Sequence, residues 1–526
     1  MATIAPGTST APAPAIPRLL CISWRNRSIG FAVVVAVAGL AGFIVALIMP
    51  RGPITTGQAL SVMILGLGVG FGAGLVLRSR WAMLLAPLAH IAVFELGRMG
   101  TPGPTVGAIH LDTTYGVLAL LLGRGFHGIV GILPMVLGAS YGAAFARQFA
   151  SPPNQRSSIW LRLGLYARRG VAAILAVALV ALAGLILRPA STPPMLGADG
   201  KPVPGSIAEL TEIRLGGHDQ WIMIRGASVD KPVLLYLSGG PGQSDLPFIR
   251  VMFDNLAQDF VLVDWDQRGT GKSYPALDPA ATWTLDQAVS DTVELTNYLR
   301  ARFGEQKIYL MGESWGTTLG VLAVQRHPEL YYAWIGSGQM VSQRETDRMI
   351  YADLLDYAAR TGDTAMTERL RSYGEPPYQT LLAYAYVMQQ YPKIEPPYTR
   401  SPAVDELGSK GHLYFWGVLG TEYNLVEKVN VLRGLLDMSS VMYPQLQGID
   451  FRHDVPRLAV PVYILDGQGE LRGRRVLAHE WYAQLEAPHK RMYSFEDAGH
   501  SAAMEEFQAF HTIMTETVVP ETYANQ

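Results

Sequence analysis

A chain of 526 residues is too long for one ordinary hydrophobic core, so at least two folded units are expected. The formal net charge of −2 hides a steep asymmetry: residues 1–190 hold 14 Arg, no Lys and only Glu95 and Asp112, a balance of +12 that leaves −14 for the rest. A nucleic-acid patch is excluded because those arginines fall between long apolar runs, and a disulfide scaffold because Cys21 is the only cysteine.

From the N-terminus, residues 1–17 are rich in Ala, Pro and Thr and read as an unstructured stretch within a tail that ends near residue 28. Five apolar runs follow, at about 29–49, 58–77, 81–96, 128–146 and 170–187. Crossing a bilayer takes about 20 apolar residues, so an all-α transmembrane region of about five helices over 29–188 is expected. The third run is the shortest and contains His90 and Glu95; Glu95 lies close enough to Arg98 to pair with it at the interface. Glycines 66, 68, 70, 72 and 74 suit close helix packing in lipid. The piece 117–123 is too short to span alone and is left as re-entrant or interfacial.

Arginine placement orients these runs. With the N-terminus inside, the inner segments carry Arg18, Arg25, Arg27, Arg78, Arg80, Arg147, Arg156, Arg162, Arg168 and Arg169, and the outer ones Arg51, Arg98, Arg124 and Arg188. That bias matches the positive-inside rule and sends the C-terminal part outside the cytoplasm, with the lipid bilayer as a partner.

Residues 189–206 form a Pro/Gly linker. From 207 to 526, short apolar strands alternate with helical stretches: a hairpin at 209–215 and 221–225, then strands at 232–237, 260–264, 308–311, 333–335, 460–465 and 491–495. Such alternation predicts an α/β fold with a mostly parallel sheet covered on both faces. The interval 342–450 breaks the pattern, reads as helical and is expected to be a lid over the strand tips.

Gly312-Glu313-Ser314-Trp315-Gly316 sits between a strand and a helix, the setting of a nucleophile elbow, so Ser314 is the candidate nucleophile. A serine hydroxyl needs a base, and His500, on a loop after the last strand, fits best. Two carboxylates follow the 460–465 strand. Glu470 is the preferred acid, because it is far enough out to turn toward an imidazole, and Asp466 is the alternative. Backbone amides must hold the oxyanion; Trp315 is one candidate, and Gly240 the other, with Gly239 as its alternative, in Ser238-Gly239-Gly240-Pro241-Gly242. Residues 264–273 end like a phosphate-binding loop, but its first glycine would fall on Asp266. Asp266 and Arg268 are instead expected to brace loops under the site, and Glu313 to face the sheet edge or enter an ion pair. No cofactor or metal is expected, and the oligomeric state is left open.

Gly-Gly-Pro-Gly at 239–242, Asp-Gln-Arg-Gly-x-Gly-x-Ser at 266–273 and Gly-x-Ser-Trp-Gly at 312–316 together resemble the prolyl iminopeptidase family of α/β-hydrolases over roughly 205–515. The resemblance implies a serine aminopeptidase-like fold with a helical lid and a triad mapping to Ser314, position 470 and His500. There are three departures. Ser238 replaces the family's usual His, Glu470 stands at the Asp position, and the lid motif whose Glu holds the substrate amine is absent, Phe415, Trp416 and Glu422 only lying nearby. The favoured function is serine hydrolysis of short peptides or aminoacyl amides. An esterase of acyl esters is the alternative, and a non-catalytic sensor or binding domain the second. An acidic lid residue facing the cleft would favour the peptidase, with Glu375, Glu406 and Glu422 as candidates.

Overall fold

The structure is a computed structural model that describes residues 18–149, 159–197, 199–410 and 420–523. The expectations on 1–17, Arg156, Phe415 and Trp416 lie outside the described residues. The chain divides into two compact units.

The first unit comprises Met1–Pro53, Gly57–Gly100 and Phe126–Ala183. Four helices are long and apolar enough to cross a membrane: Arg27–Ile48, Thr56–Leu77, Thr114–Ala146 and Tyr166–Leu187. The third expected run is Ala82–Gly97, which at 16 residues and 1.5 Å per residue reaches only about 24 Å. Length alone therefore supports four spans rather than five. The ambiguous piece 117–123 is neither re-entrant nor separate, since it lies in the opening turns of Thr114–Ala146. Every second glycine of the run 66–74 is used. A Cβ at Gly66, Gly70 or Gly74 would strike the backbone of Gly131, Met135 or Ala139, whereas Gly68 and Gly72 have open space. Glycine thus lets two helix backbones touch. Arg98 pairs with Glu95 at 2.6 Å, as their spacing suggested.

The second unit comprises Ile54–Thr56, Thr101–Gly125 and Gly184–Gln526. It is built on an eight-stranded sheet of β1 (Ile207–Leu215), β2 (His218–Gly226), β3 (Val233–Leu237), β4 (Val261–Asp266), β5 (Ile308–Glu313), β6 (Tyr331–Ser337), β7 (Val462–Gly467) and β8 (Lys490–Phe495). The spatial order is β1-β2-β4-β3-β5-β6-β7-β8. The β1–β2 hairpin joins β4 antiparallel, and all later pairings are parallel. Side chains alternate faces along a strand, so Val233, Leu235 and Leu237 enter one apolar core while Leu234 and Tyr236 enter the other. Burial on both faces explains why these strands read as unbroken apolar runs.

The interval 342–450 is helical as expected, including Gln343–Thr361, Thr364–Tyr373, Leu381–Met388 and Leu425–Met442. It has its own core, in which Ile350, Leu354, Leu370, Tyr384 and Leu436 cluster with Ala119 and Leu122 from the segment Thr101–Gly125. The Pro/Gly stretch 189–206 is docked rather than a bare tether. Met195 is buried in the core, and Arg225 donates to Thr192 Oγ1 at 2.9 Å and to the Pro193 carbonyl at 2.5 Å.

Candidate active site

Ser314, Glu470 and His500 follow the ends of β5, β7 and β8. Ser314 has φ 52° and ψ −118°, a left-handed conformation that a non-glycine residue holds only when its surroundings impose it. The imposition is visible on both flanks: a Cβ at Gly312 would collide with the Gly316 backbone and Trp334, and one at Gly316 with the carbonyls of Leu237 and Ser238. The Ser314 amide donates to the Ser337 carbonyl at 3.1 Å, and Ser314 begins the helix Trp315–Arg326.

His500 follows β8, and its Nδ1 is hydrogen-bonded to Glu470 Oε2. Glu470 Oε1 accepts the Leu471 amide at 2.7 Å and faces Arg474 at 3.4 Å. Burial opposes ionisation of Glu470, but the charges of His500 and Arg474 and these hydrogen bonds outweigh it and hold the carboxyl at about 2. Asp466 is occupied elsewhere, with Arg475 and His479 each at 3.1 Å and the Ser494 hydroxyl at 2.8 Å. Of the two acids weighed from sequence, Glu470 is the one at the imidazole. The other described histidines of this unit that were weighed are also spoken for: His327 faces Glu329 (3.2 Å), His489 Glu521 (3.4 Å) and His511 Asp259 (2.9 Å).

The nucleophile strand and the histidine loop are stitched through their neighbours. Ser501 Oγ donates to Glu313 Oε1 at 2.6 Å, and Ser337 Oγ accepts the Ala503 amide at 3.1 Å while its carbonyl holds Ser314. Glu313 therefore does not face a sheet edge or form an ion pair. It lies at the tip of the central strand β5, accepts the Tyr236 hydroxyl at 3.2 Å, and is pushed up to about 8 by burial and by the charge of Asp245. Asp245 is itself raised to about 6 by burial.

The Gly239 amide is hydrogen-bonded to Asp245. Among the described residues, neither the Gly240 nor the Trp315 amide has an acceptor, which leaves these two donors available at the strand tips. Gly239 itself is close: a Cβ there would stand 3.4 Å from Ser314 Cβ. Asp266 is buried and accepts the Lys272 amide at 2.8 Å and the Tyr423 hydroxyl at 2.9 Å, while Arg268 reaches Asp291 at 3.1 Å and the Gly216 carbonyl at 3.2 Å. Between them, Gln267 makes the most direct brace, and sequence reading missed it. Its Oε1 accepts the Trp315 indole at 2.9 Å and its Nε2 donates to the Ser238 carbonyl at 3.2 Å, tying the elbow helix to the glycine loop.

The lid acids fall differently from expectation. Glu422 is buried, with Oε1 paired to Arg250 at 2.5 Å and Oε2 without a hydrogen-bond partner among the described residues; Glu375 and Glu406 are exposed. Glu395, not singled out from sequence, is also exposed, and its charge interacts with Arg474, Glu470, His500 and Glu505. Glu505 takes the Gly499 amide at 2.5 Å, the Tyr398 hydroxyl at 2.9 Å and Arg400 at 3.2 Å, so it clamps the lid strand onto the histidine loop.

A family profile described as alpha/beta hydrolase fold matches residues 232–507, more than half of the chain. The chain belongs to the α/β-hydrolase family. Among curated relatives, the probable aminopeptidase YbaC of Bacillus subtilis (strain 168) is 29% identical over 308 residues, covering 58% of this chain and 94% of that protein. The proline iminopeptidase of Lactobacillus delbrueckii subsp. lactis is 24% identical over 323 residues, covering 60% of this chain and 99% of its own. Among solved structures, the proline iminopeptidase of Mycobacterium smegmatis aligns with 60% of this chain and 100% of that one at 16% identity and a TM-score of 0.42. The prolyl iminopeptidase-like resemblance read from the three motifs thus stands for the hydrolase part, and none of these alignments extends over the whole chain.

Proposed function

We propose that this α/β-hydrolase is a membrane-anchored serine hydrolase that cleaves the amide bond of short peptides or aminoacyl substrates with a free N-terminus. The observation that carries the reading is the His500–Glu470 pair, joined through Ser501–Glu313 to the strained elbow at Ser314. Ser314 Oγ attacks the scissile carbonyl as its proton passes to His500 Nε2, and the amides of Gly240 and Trp315 receive the oxyanion. His500 returns that proton to the leaving amine as the C–N bond breaks. Water then attacks the acyl-enzyme, giving one proton to His500, which restores it to Ser314 as the acid product leaves. Glu470 stays ionised and holds the imidazole in the tautomer that accepts at Nε2.

Two observations support an amide substrate with a free amine. The relatives reported above carry aminopeptidase names. Glu395 places an exposed carboxylate within electrostatic reach of His500 and Arg474, a group able to pair with an ammonium.

For topology, the contacts inside the hydrolase unit support five crossings despite the short helix Ala82–Gly97. Asn430 Nδ2 donates to the Ile54 carbonyl at 2.7 Å, and Arg369 pairs with Asp112 at 2.7 Å, so the chain near 54 and near 112 lies on the hydrolase's side of the bilayer. Thr56–Leu77 leaves that side and Ala82–Gly97 must return to it. A 16-residue helix can do so with Trp81 and Arg98 extending its ends. With the arginine bias, that side is extracytoplasmic.

The test is a fluorophosphonate probe and a panel of aminoacyl-naphthylamides and acyl esters on the full chain in nanodiscs. Labelling with turnover of free-amine amides is expected. Turnover confined to esters would replace the peptidase reading with the esterase, and no labelling of folded protein would leave a binding domain.

A further inference from the structure

The helix Leu425–Met442 meets two other parts of the same unit, one of them along a stripe of side chains. Along this stripe, Asn430 holds the Ile54 carbonyl at 2.7 Å, and Arg433 donates to the Leu122 carbonyl from Nε at 3.1 Å and Nη2 at 2.8 Å. On the next turn Asp437 accepts the Thr105 amide at 3.0 Å, the Thr105 hydroxyl, and the Tyr274 hydroxyl at 2.6 Å. The spacing 430, 433, 437 lies on one helical face, and all three side chains are buried. Beside this face, Gly434 presses on the glycine loop so closely that a Cβ there would stand 2.9 Å from the Gly242 carbonyl and 3.0 Å from that of Gly269. Ser439 Oγ donates to the Pro241 carbonyl.

Arg433 and Gly434 are adjacent in one helix, so the helix cannot shift relative to the Leu122 carbonyl without moving against the Gly242 and Gly269 carbonyls. We infer that the segment Thr101–Gly125, which in sequence falls between two apolar helices, fixes the position of the glycine loop 239–242 through this helix, with Arg433 and Asp437 as positioning residues. The coupling is geometric. A buried guanidinium held by a carbonyl at 2.8 Å and a carboxylate taking three donors leave the helix one seat, and close packing transmits that seat to backbone atoms beside Gly240. Its catalytic consequence rests on the proposal that the Gly240 amide serves the oxyanion; the mechanical consequence does not. The hydrolase is then incomplete without the stretches 54–56 and 101–125, and a fragment starting at residue 205 lacks the partners of Asn430, Arg433 and Asp437.

The experiment uses the full chain in nanodiscs with Arg433→Met, Thr105→Val and Arg433→Lys. Hydrogen exchange is followed on peptides covering 238–243, and kcat is expressed per site titrated with the fluorophosphonate, so that unfolded protein is not counted. In Arg433→Met, exchange at 238–243 is expected to rise about tenfold while β5 and β6 stay protected. The value of kcat per titrated site should fall about 10–50-fold with KM within about twofold, a part of the 10²–10³ lost when an oxyanion donor is removed. Thr105→Val, milder and placed on the distant segment, should give a smaller change of the same kind, and Arg433→Lys, which keeps a donor, should recover part of both. Wild-type exchange at 238–243 in folded Arg433→Met and Thr105→Val would overturn the coupling, and raised exchange with unchanged kcat per site would overturn its catalytic consequence. If the wild type itself shows no serine reactivity, the proposed function fails, while the exchange data still decide the coupling.

Discussion

The two halves of the candidate site are built differently. The half carried by the sheet, with Ser314, His500 and Glu470, is held largely by residues next to the functional ones: Gly312 and Gly316 around Ser314, Leu471 and Arg474 beside Glu470. The half supplied by the lid is held by residues hundreds of positions away, such as Asp437 with Thr105, Lys272 with Glu427 at 2.8 Å and Tyr398 with Glu505. A strand tip fixes its own geometry through steric rules that act over three or four residues, so it can carry chemistry with little outside help. A lid built from short helices has no such local determinant and borrows position from whatever it packs against. The sheet half should therefore govern whether the reaction occurs, and the lid half which substrate is taken and how fast.

The sharpest break in that division would come from Ser314→Ala. Removing the nucleophile should lower kcat on the order of 10⁶-fold and abolish fluorophosphonate labelling, with the fold intact by circular dichroism. Retained labelling would place the reactive serine elsewhere.

The same contrast explains what could be read from sequence. All eight strands were legible because each is a short apolar run between turn residues, and Glu470 was legible because its distance from the strand end suits an arm to the imidazole. The docking of 101–125 was not, because Thr105 and Leu122 meet Asp437 and Arg433 across more than 300 residues and nothing local marks them. Glu395 and Gln267 were missed for related reasons. A glutamate between Ile394 and Pro396 looks like any solvated loop residue, and Gln267 was hidden between the two charged residues of a motif that drew attention to itself. The Pro/Gly stretch 189–206 carried a linker's composition, yet Met195 and its neighbours are packed, since proline runs dock as readily as they tether.

Glu470→Gln and Asp466→Asn compare two carboxylates four residues apart on the sheet side. The first should cost about 10⁴-fold in kcat, because an amide favours the wrong imidazole tautomer, whereas the second should cost less than about tenfold and act mainly on stability. Equal losses would mean that both acids serve His500. On the lid side, Glu395→Gln tests substrate choice. If its carboxylate holds an ammonium, KM for free-amine amides should rise about 10–100-fold, the equivalent of a charged hydrogen bond, with kcat within about threefold and no change for N-acetylated substrates. A matching rise for N-acetylated substrates would remove the amine-anchor role.

The smallest effect separates two acids of the sheet half by the sign of their pH response. Glu470 is held at about 2, below the roughly 4.3 of an unfolded glutamate, so its contribution to stability is present above pH 4.3 and is lost as the pH falls toward 2. Glu313 is pushed up to about 8 by burial and then by Asp245, so between about pH 4.3 and 8 the folded chain keeps a proton that the unfolded chain releases, and stability falls as pH rises. Asp245, at about 6, and Asp266, raised to about 7 by burial, act in the same direction over narrower windows. A glutamine at 313 cannot ionise, yet its amide oxygen still accepts from Ser501. Glu313→Gln should therefore flatten the decline in Tm between pH 5 and 8 by about 2–5 °C relative to the wild type, measured on the full chain in nanodiscs. An unchanged or steeper decline would mean that Glu313 is ionised at neutral pH, and the stitch between the nucleophile strand and the histidine loop would then be a charged hydrogen bond from Ser501 rather than a neutral one.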